Sequence, residues 1–218
     1  MTRVKICGIT NLKDAQAAVE AGCDALGFVF YKKSPRYIAP QKASEISAAV
    51  PKRVKKVGVF VNENAKVIRC IARECALDML QFHGDESPEF CRQFRGQKVI
   101  KAFRVKKNIP FKRIMRYTTH AFLFDAFDKS AFGGTGKAFD WVVLRGIHTL
   151  KKIIFLSGGL NEKNLQEALA TVRPDWVDVA SSVEIRPGIK SHRKIKRFMA
   201  KVRCAHEKMP LLRRAHSG

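Results

Sequence analysis

Apolar and polar positions fall in alternating blocks along the 218-residue chain. Short apolar, β-branched runs stand at Val4–Cys7, Ala25–Phe30, Lys56–Val61, Met79–Phe82, Val99–Phe103, Ala121–Asp125, Ile153–Leu156 and Val177–Ala180, eight in all. They are apolar throughout rather than at every second residue, so they predict strands buried on both faces. Between them, apolar residues recur at helical spacing over Lys13–Ala21, Lys42–Val50, Ala65–Ala76, Pro88–Phe94, Phe111–Tyr117, Asp140–Ile147, Asn161–Thr171 and Ser191–Arg203. This alternation predicts an α/β protein with a parallel sheet. Eight units within residues 1–203 fit a single-domain (β/α)8 TIM barrel, with an open doubly wound sheet as the competing arrangement.

Local signals mark several boundaries. Asn11 can cap the first helix, and Ala21-Gly22 can close it. Ser87-Pro88 pairs a cap with proline at the first helical position. Ser34-Pro35 and Ala39-Pro40 mark a loop before the second helix. Gly133-Gly134-Thr135-Gly136 reads as a flexible loop after the sixth run. From Lys190 to Gly218 the only acid is Glu207, and residues 204–218 read as a loosely ordered basic tail.

Apolar residues make up 46% of the chain, enough for a sizeable core. No run of eighteen apolar residues occurs, so no membrane-spanning helix is expected. The segment Met1–Gly8 reads as a first strand rather than a signal peptide, and a cytoplasmic protein is expected. Six cysteines are scattered without a CxxC pair, which favours packing over disulfides or zinc. Lys plus Arg number 42 against 19 Asp plus Glu, a net charge of +23. Such an excess attracts polyanions. The charge is dispersed and has no interleaved aromatics, so solvated surface is favoured over a nucleic-acid site.

In a (β/α)8 barrel the chemistry sits at the carboxyl ends of the strands. Here those ends carry Lys5-Ile6-Cys7-Gly8, Gln81-Phe82-His83-Gly84, Phe124-Asp125, Leu156-Ser157-Gly158-Gly159 and Asp178-Val179-Ala180-Ser181-Ser182. The loop after the second run adds Ser34-Pro35-Arg36-Tyr37. Gly158-Gly159, before a helix starting near Asn161, and the adjacent Ser181-Ser182 turn suit a phosphate. Two ordinary turns are the plainer account. Gly134-Thr135-Gly136-Lys137 superficially resembles a nucleotide loop, but Ala138 follows Lys137 and no glycine stands five positions before Gly136.

Cys7 and Asp125 are the candidate base and acid. A thiolate can take a proton near neutral pH, and a carboxyl shielded from water can deliver one. Core filler and helix cap are the competing roles, and Asp128 is a rival acid. His83 can support the rim or donate to a substrate, with Gln81 pointing the same way by strand alternation.

Together, in order and up to about Met199, these segments closely resemble the phosphoribosylanthranilate isomerase family. The stretches that carry it are Val4–Thr10, Ser34–Tyr37, Leu80–Gly84, Asp125, Gly133–Trp141, Leu156–Leu160 and Asp178–Glu184. The resemblance implies an Amadori rearrangement of N-(5-phosphoribosyl)anthranilate, a phosphorylated small molecule, with no metal or organic cofactor. It implies Asp125 as acid at the ribose ring oxygen and Cys7 as base at C2. It further implies Arg36 on the anthranilate carboxylate and Gly158, Gly159, Ser181 and Ser182 on the phosphate. Lys5, Gly8, Gln81, His83 and Asp178 fall in the same segments and are expected to bind or orient the substrate. One departure is the turn Ala180-Ser181-Ser182, which lacks a glycine the family pattern often has. Another phosphosugar barrel and a nucleic-acid-binding protein remain the alternatives. A monomer and a homodimer both fit.

Overall fold

In the computed structural model, residues 1–105, 109, 111–126 and 141–215 are described, the side chains of 126 and 206–215 apart. Eight parallel strands close into a barrel in sequence order: β1 Arg3–Cys7, β2 Ala25–Val29, β3 Lys55–Phe60, β4 Met79–Phe82, β5 Lys98–Val105, β6 Ala121–Ala126, β7 Ile153–Leu156 and β8 Trp176–Val179. Closure is made by β1 on β8, with Arg3 beside Trp176 and Lys5 beside Asp178. The open sheet is thereby excluded.

Helices α1 Leu12–Glu20, α2 Pro40–Ala49, α3 Ala65–Glu74, α4 Pro88–Arg92, α5 Phe111–Ile114, α6 Leu165–Val172 and α7 His192–Ala215 complete the described fold. Asn11 caps α1 by accepting the Asp14 N–H at 2.9 Å. Ser87 caps α4 through the Phe90 N–H at 3.2 Å, with Pro88 in the first turn.

Three expectations are corrected. Where a helix is expected over Asp140–Ile147, two short 3-10 turns stand at Trp141–Leu144 and Ile147–Leu150. Gly146 lies between them at φ 81°, a left-handed conformation that an α-helix cannot contain. The helix expected from Asn161 begins at Leu165, because the Asn161 side chain accepts the N–H groups of Lys163 and Asn164 and holds a turn there. The last helix continues past Arg203 to Ala215, over a stretch rich in good helix formers. The Gly133–Gly136 loop and Asp128 lie outside the described residues.

Strand alternation divides the core. Val4, Ile6, Leu26, Phe28, Leu80 and Phe82 face outward into the layer under the helices. Ala25, Val57, Met79, Ile100, Ala121, Leu123, Phe155 and Trp176 fill the barrel's lower interior. Cys7, Val29 and Val59 form a small apolar group at its mouth. Among the described residues no helix is long and apolar enough to cross a membrane.

Candidate active site

Residues Lys5, Gln81 and Asp178 alternate inward one step above the apolar interior and make a buried polar layer, at 0%, 1% and 5% exposure. The Lys5 Nζ donates to Gln81 Oε1 and to both oxygens of Asp178, each at 2.9 Å. Burial alone would pull this ammonium down; the Asp178 carboxylate and Cys7 outweigh it, and the net effect raises Lys5.

Lys5 then dictates hydrogen-bond polarity across the mouth. An ammonium only donates, so Gln81 must turn its oxygen to Lys5 and its NH2 to His83. Gln81 Nε2 lies 2.8 Å from His83 Nδ1, which therefore accepts. His83 Nε2 carries the proton and donates to Asp125 Oδ2 at 3.2 Å. The exit of β4, which carries His83, is held by a second buried ion pair. Lys101 donates to Glu86 Oε2 and to the Gly84 carbonyl, each at 2.8 Å, while Glu86 Oε1 accepts the Asn62 N–H at 2.8 Å.

Above this layer a cavity opens at the mouth of the barrel. Its wall carries Cys7, Arg36, Gln81, His83, Asp125, Asp178, Gly158, Gly159, Ser181 and Ser182, with Val29, Val59, Val61 and Tyr31 as an apolar side. Gly158 and Gly159 have φ of 87° and 68°, so the turn after β7 uses backbone that other residues adopt only with strain. Ser181–Val183 form a 3-10 turn after β8, and Ser182 Oγ is buried without a hydrogen-bond partner among the described residues.

Two candidate residues are not on the wall. Lys5 lies beneath it, held by Gln81 and Asp178. Gly8, at φ 76°, backs Arg36: a Cβ there would stand 2.6 Å from Arg36 Cδ. The surroundings of Cys7 act on its thiol in opposing directions. Burial pushes the Cys7 thiol above its ordinary value, and the Lys5 and Lys190 cations only partly oppose it.

A family model for N-(5'-phosphoribosyl)anthranilate (PRA) isomerase matches residues 4–201. The chain belongs to the PRA isomerase family. A relative from Trichlorobacter lovleyi, named N-(5'-phosphoribosyl)anthranilate isomerase, is 47% identical over 199 residues, which are 91% of this chain and 97% of that protein. The crystal structure of phosphoribosyl anthranilate isomerase from Thermotoga maritima superposes with a TM-score of 0.88 at 43% identity, covering 94% of this chain and 100% of that one. Two further structures match with TM-scores of 0.85 at 42% identity, covering 94% of this chain and 100% of theirs. One is of monomers generated from the dimeric Thermotoga maritima enzyme; the other is a complex with reduced 1-(o-carboxyphenylamino)-1-deoxyribulose 5-phosphate.

Against that family background, the structure adds three residues that sequence reading missed. Glu184 accepts from Arg36 Nε at 2.9 Å and Nη2 at 2.7 Å, so the fork expected on a substrate carboxylate is already braced by protein. Lys190 is buried beside it. Gly27, inside β2, lies against Cys7 and Lys5. A glycine within a strand pattern signals close approach; nothing in the basic run at Lys190 singles that lysine out.

Proposed function

We propose that this chain converts N-(5-phosphoribosyl)anthranilate to 1-(2-carboxyphenylamino)-1-deoxyribulose 5-phosphate, with Asp125 as general acid and Cys7 as general base. The observation that carries the reading is one cavity whose wall joins a thiol from β1, a carboxylate from β6, an arginine, and the two adjacent turns Gly158-Gly159 and Ser181-Ser182. The phosphate sits on the Gly158-Gly159 and Ser181-Ser182 turns, where backbone N–H groups and hydroxyls converge. Val29, Val59 and Val61 receive the aromatic ring, and Arg36 takes its carboxylate.

Asp125 delivers a proton to the ribose ring oxygen as the C1–O bond breaks, and the anthranilate nitrogen lone pair closes a C1=N bond. His83 donates to Asp125 Oδ2 and so orients the carboxyl that carries the proton toward the sugar. Cys7, as thiolate, then removes the C2 proton; the C2–H electrons form C1=C2 and those of C1=N return to nitrogen. Protonation at C1 with loss of the C2 hydroxyl proton gives the ketone. Burial makes the thiolate scarce but strongly basic, and kcat/KM is expected to rise with pH through the alkaline range. Part of the net charge of +23 serves to draw in a substrate that carries both a phosphate and a carboxylate.

The test follows the fluorescence of freshly made phosphoribosylanthranilate, which disappears on isomerisation. Cys7→Ser and Asp125→Asn are each expected to lose about a hundredfold or more, the usual range for removing an acid or base. An inactive parent would overturn the function. Parent-like rates in either variant would overturn that residue's role.

A further inference from the structure

The basic stretch after β8 reads from sequence as solvated surface, and Arg193, Lys194, Lys196 and Arg197 are indeed exposed. Lys190 is not: it is 2% exposed. It ends a small antiparallel hairpin, β9 Glu184–Arg186 and β10 Ile189–Lys190, that folds back over the rim. Its backbone N–H is tied to the buried Asp14 carboxylate at 2.8 Å.

The Lys190 ammonium has three protons and meets three acceptors. These are the Cys7 carbonyl at 2.5 Å, Glu184 Oε1 at 2.8 Å and the Ala180 carbonyl at 3.4 Å. Each acceptor belongs to a different part of the site. Cys7 ends β1, Ala180 precedes the Ser181-Ser182 turn, and Glu184 braces the Arg36 fork.

We propose that Lys190 is a positioning residue for the isomerisation, one buried ammonium that fixes the Cys7 strand end, the phosphate turn and, through Glu184, the Arg36 fork relative to one another. The role rests on the isomerase reading above. Taking an ammonium out of water is costly unless every proton finds a partner, and here every proton is spent on the site's framework. Burial pulls Lys190 below its ordinary value, and Glu184 restores only part of that. The cation also faces Cys7, whose other charged neighbours are Lys5 on β1 and Asp178 on β8.

The test is Lys190→Met in the full chain, which keeps the stem's length and leaves Arg36 and Glu184 as a neutral pair. Three readouts are taken on protein shown to be folded by circular dichroism. The kcat/KM for phosphoribosylanthranilate is expected to fall about a hundredfold, the order of loss for a displacement near 1 Å. Binding of inorganic phosphate is expected to weaken. The pH profile of Cys7 alkylation by iodoacetamide, read by mass spectrometry at the Cys7 peptide, is expected to move to higher pH as a nearby cation is lost. Lys196→Met, on the exposed face of α7, is expected to match the parent in all three.

If Lys190→Met does not fold, Glu184→Gln replaces it. Loosening Arg36 should then shrink the preference for phosphoribosylanthranilate over the analogue made from aniline, which lacks the carboxylate. A folded Lys190→Met with parent kcat/KM, phosphate binding and alkylation profile would overturn the proposal. So would a loss confined to the melting temperature, or an unchanged substrate preference in Glu184→Gln. An inactive parent overturns the isomerase reading instead, and phosphate binding and the alkylation profile then decide the positioning role by themselves.

Discussion

A methyl group added at Gly27 tests the placement of Cys7, the proposed base. In Gly27→Ala the new Cβ would stand 2.7 Å from Cys7 Sγ, 3.0 Å from Cys7 Cα and 3.0 Å from Lys5 Cε. Ordinary contact between such atoms is about 3.5–4.0 Å, so the thiol must retreat by about 1 Å. The backbone of β2 cannot give way freely, because the Gly27 carbonyl accepts the N–H groups of Gly8 at 2.9 Å and Ile9 at 3.0 Å. A base misplaced by about 1 Å costs roughly a hundredfold in rate, or about 2.7 kcal/mol of transition-state stabilisation. The overpacking itself costs about 1–3 kcal/mol of stability. Fluorescence turnover assays on Gly27→Ala should show the loss mainly in kcat, since Arg36 and the Gly158-Gly159 and Ser181-Ser182 turns are untouched. A variant with reduced melting temperature and a kcat equal to the parent's would refute the claim that Gly27 sets the position of Cys7.

Two further outcomes follow from the same geometry. Ser182→Ala removes a buried hydroxyl that has no partner among the described residues, so the empty protein should be as stable as the parent or slightly more so, while KM rises several-fold; a lower melting temperature with an unchanged KM would contradict this. Burial, with the Asp24 charge adding to it and Arg53 opposing, pushes the Cys23 thiol up to about 12. Below the ordinary thiol value both folded and unfolded chains keep this proton and the full contribution is present. As pH rises further the unfolded chain releases it first, so stability declines until the folded thiol ionises as well. At pH 11 the loss is roughly 3 kcal/mol, and urea unfolding of Cys23→Ala should show a shallower decline than the parent; parallel curves would count against it.

The barrel was legible because its strands are buried on both faces, and that leaves continuous apolar runs such as Ala121–Asp125 with little ambiguity. The rim was legible for a related reason: a thiol, a carboxylate and two Gly/Ser turns stand where strands end, and in this fold strand ends converge. The helix over Asp140–Ile147 was misread because apolar spacing says nothing about the left-handed backbone at Gly146. The partners of Lys5 were not legible, because Gln81 and Asp178 are distant from it in sequence.

Sequence by itself determined the eightfold alternation, the strand ends that meet at one rim, and the set of motifs shared with the PRA isomerase family. Those features are local: each depends on a few neighbouring residues and on the period of strand or helix. What the tertiary structure decided is non-local. Closure of β1 on β8 brings Lys5 to Asp178, 173 positions apart, and so fixes Gln81, the His83 tautomer and the hydrogen bond on Asp125. Folding of the β9–β10 hairpin carries Lys190 from an apparently solvated basic run to the Cys7 carbonyl, 183 positions away. Burial, which no single residue encodes, pushes the Cys7 thiol up, because desolvation outweighs the two cations that face it.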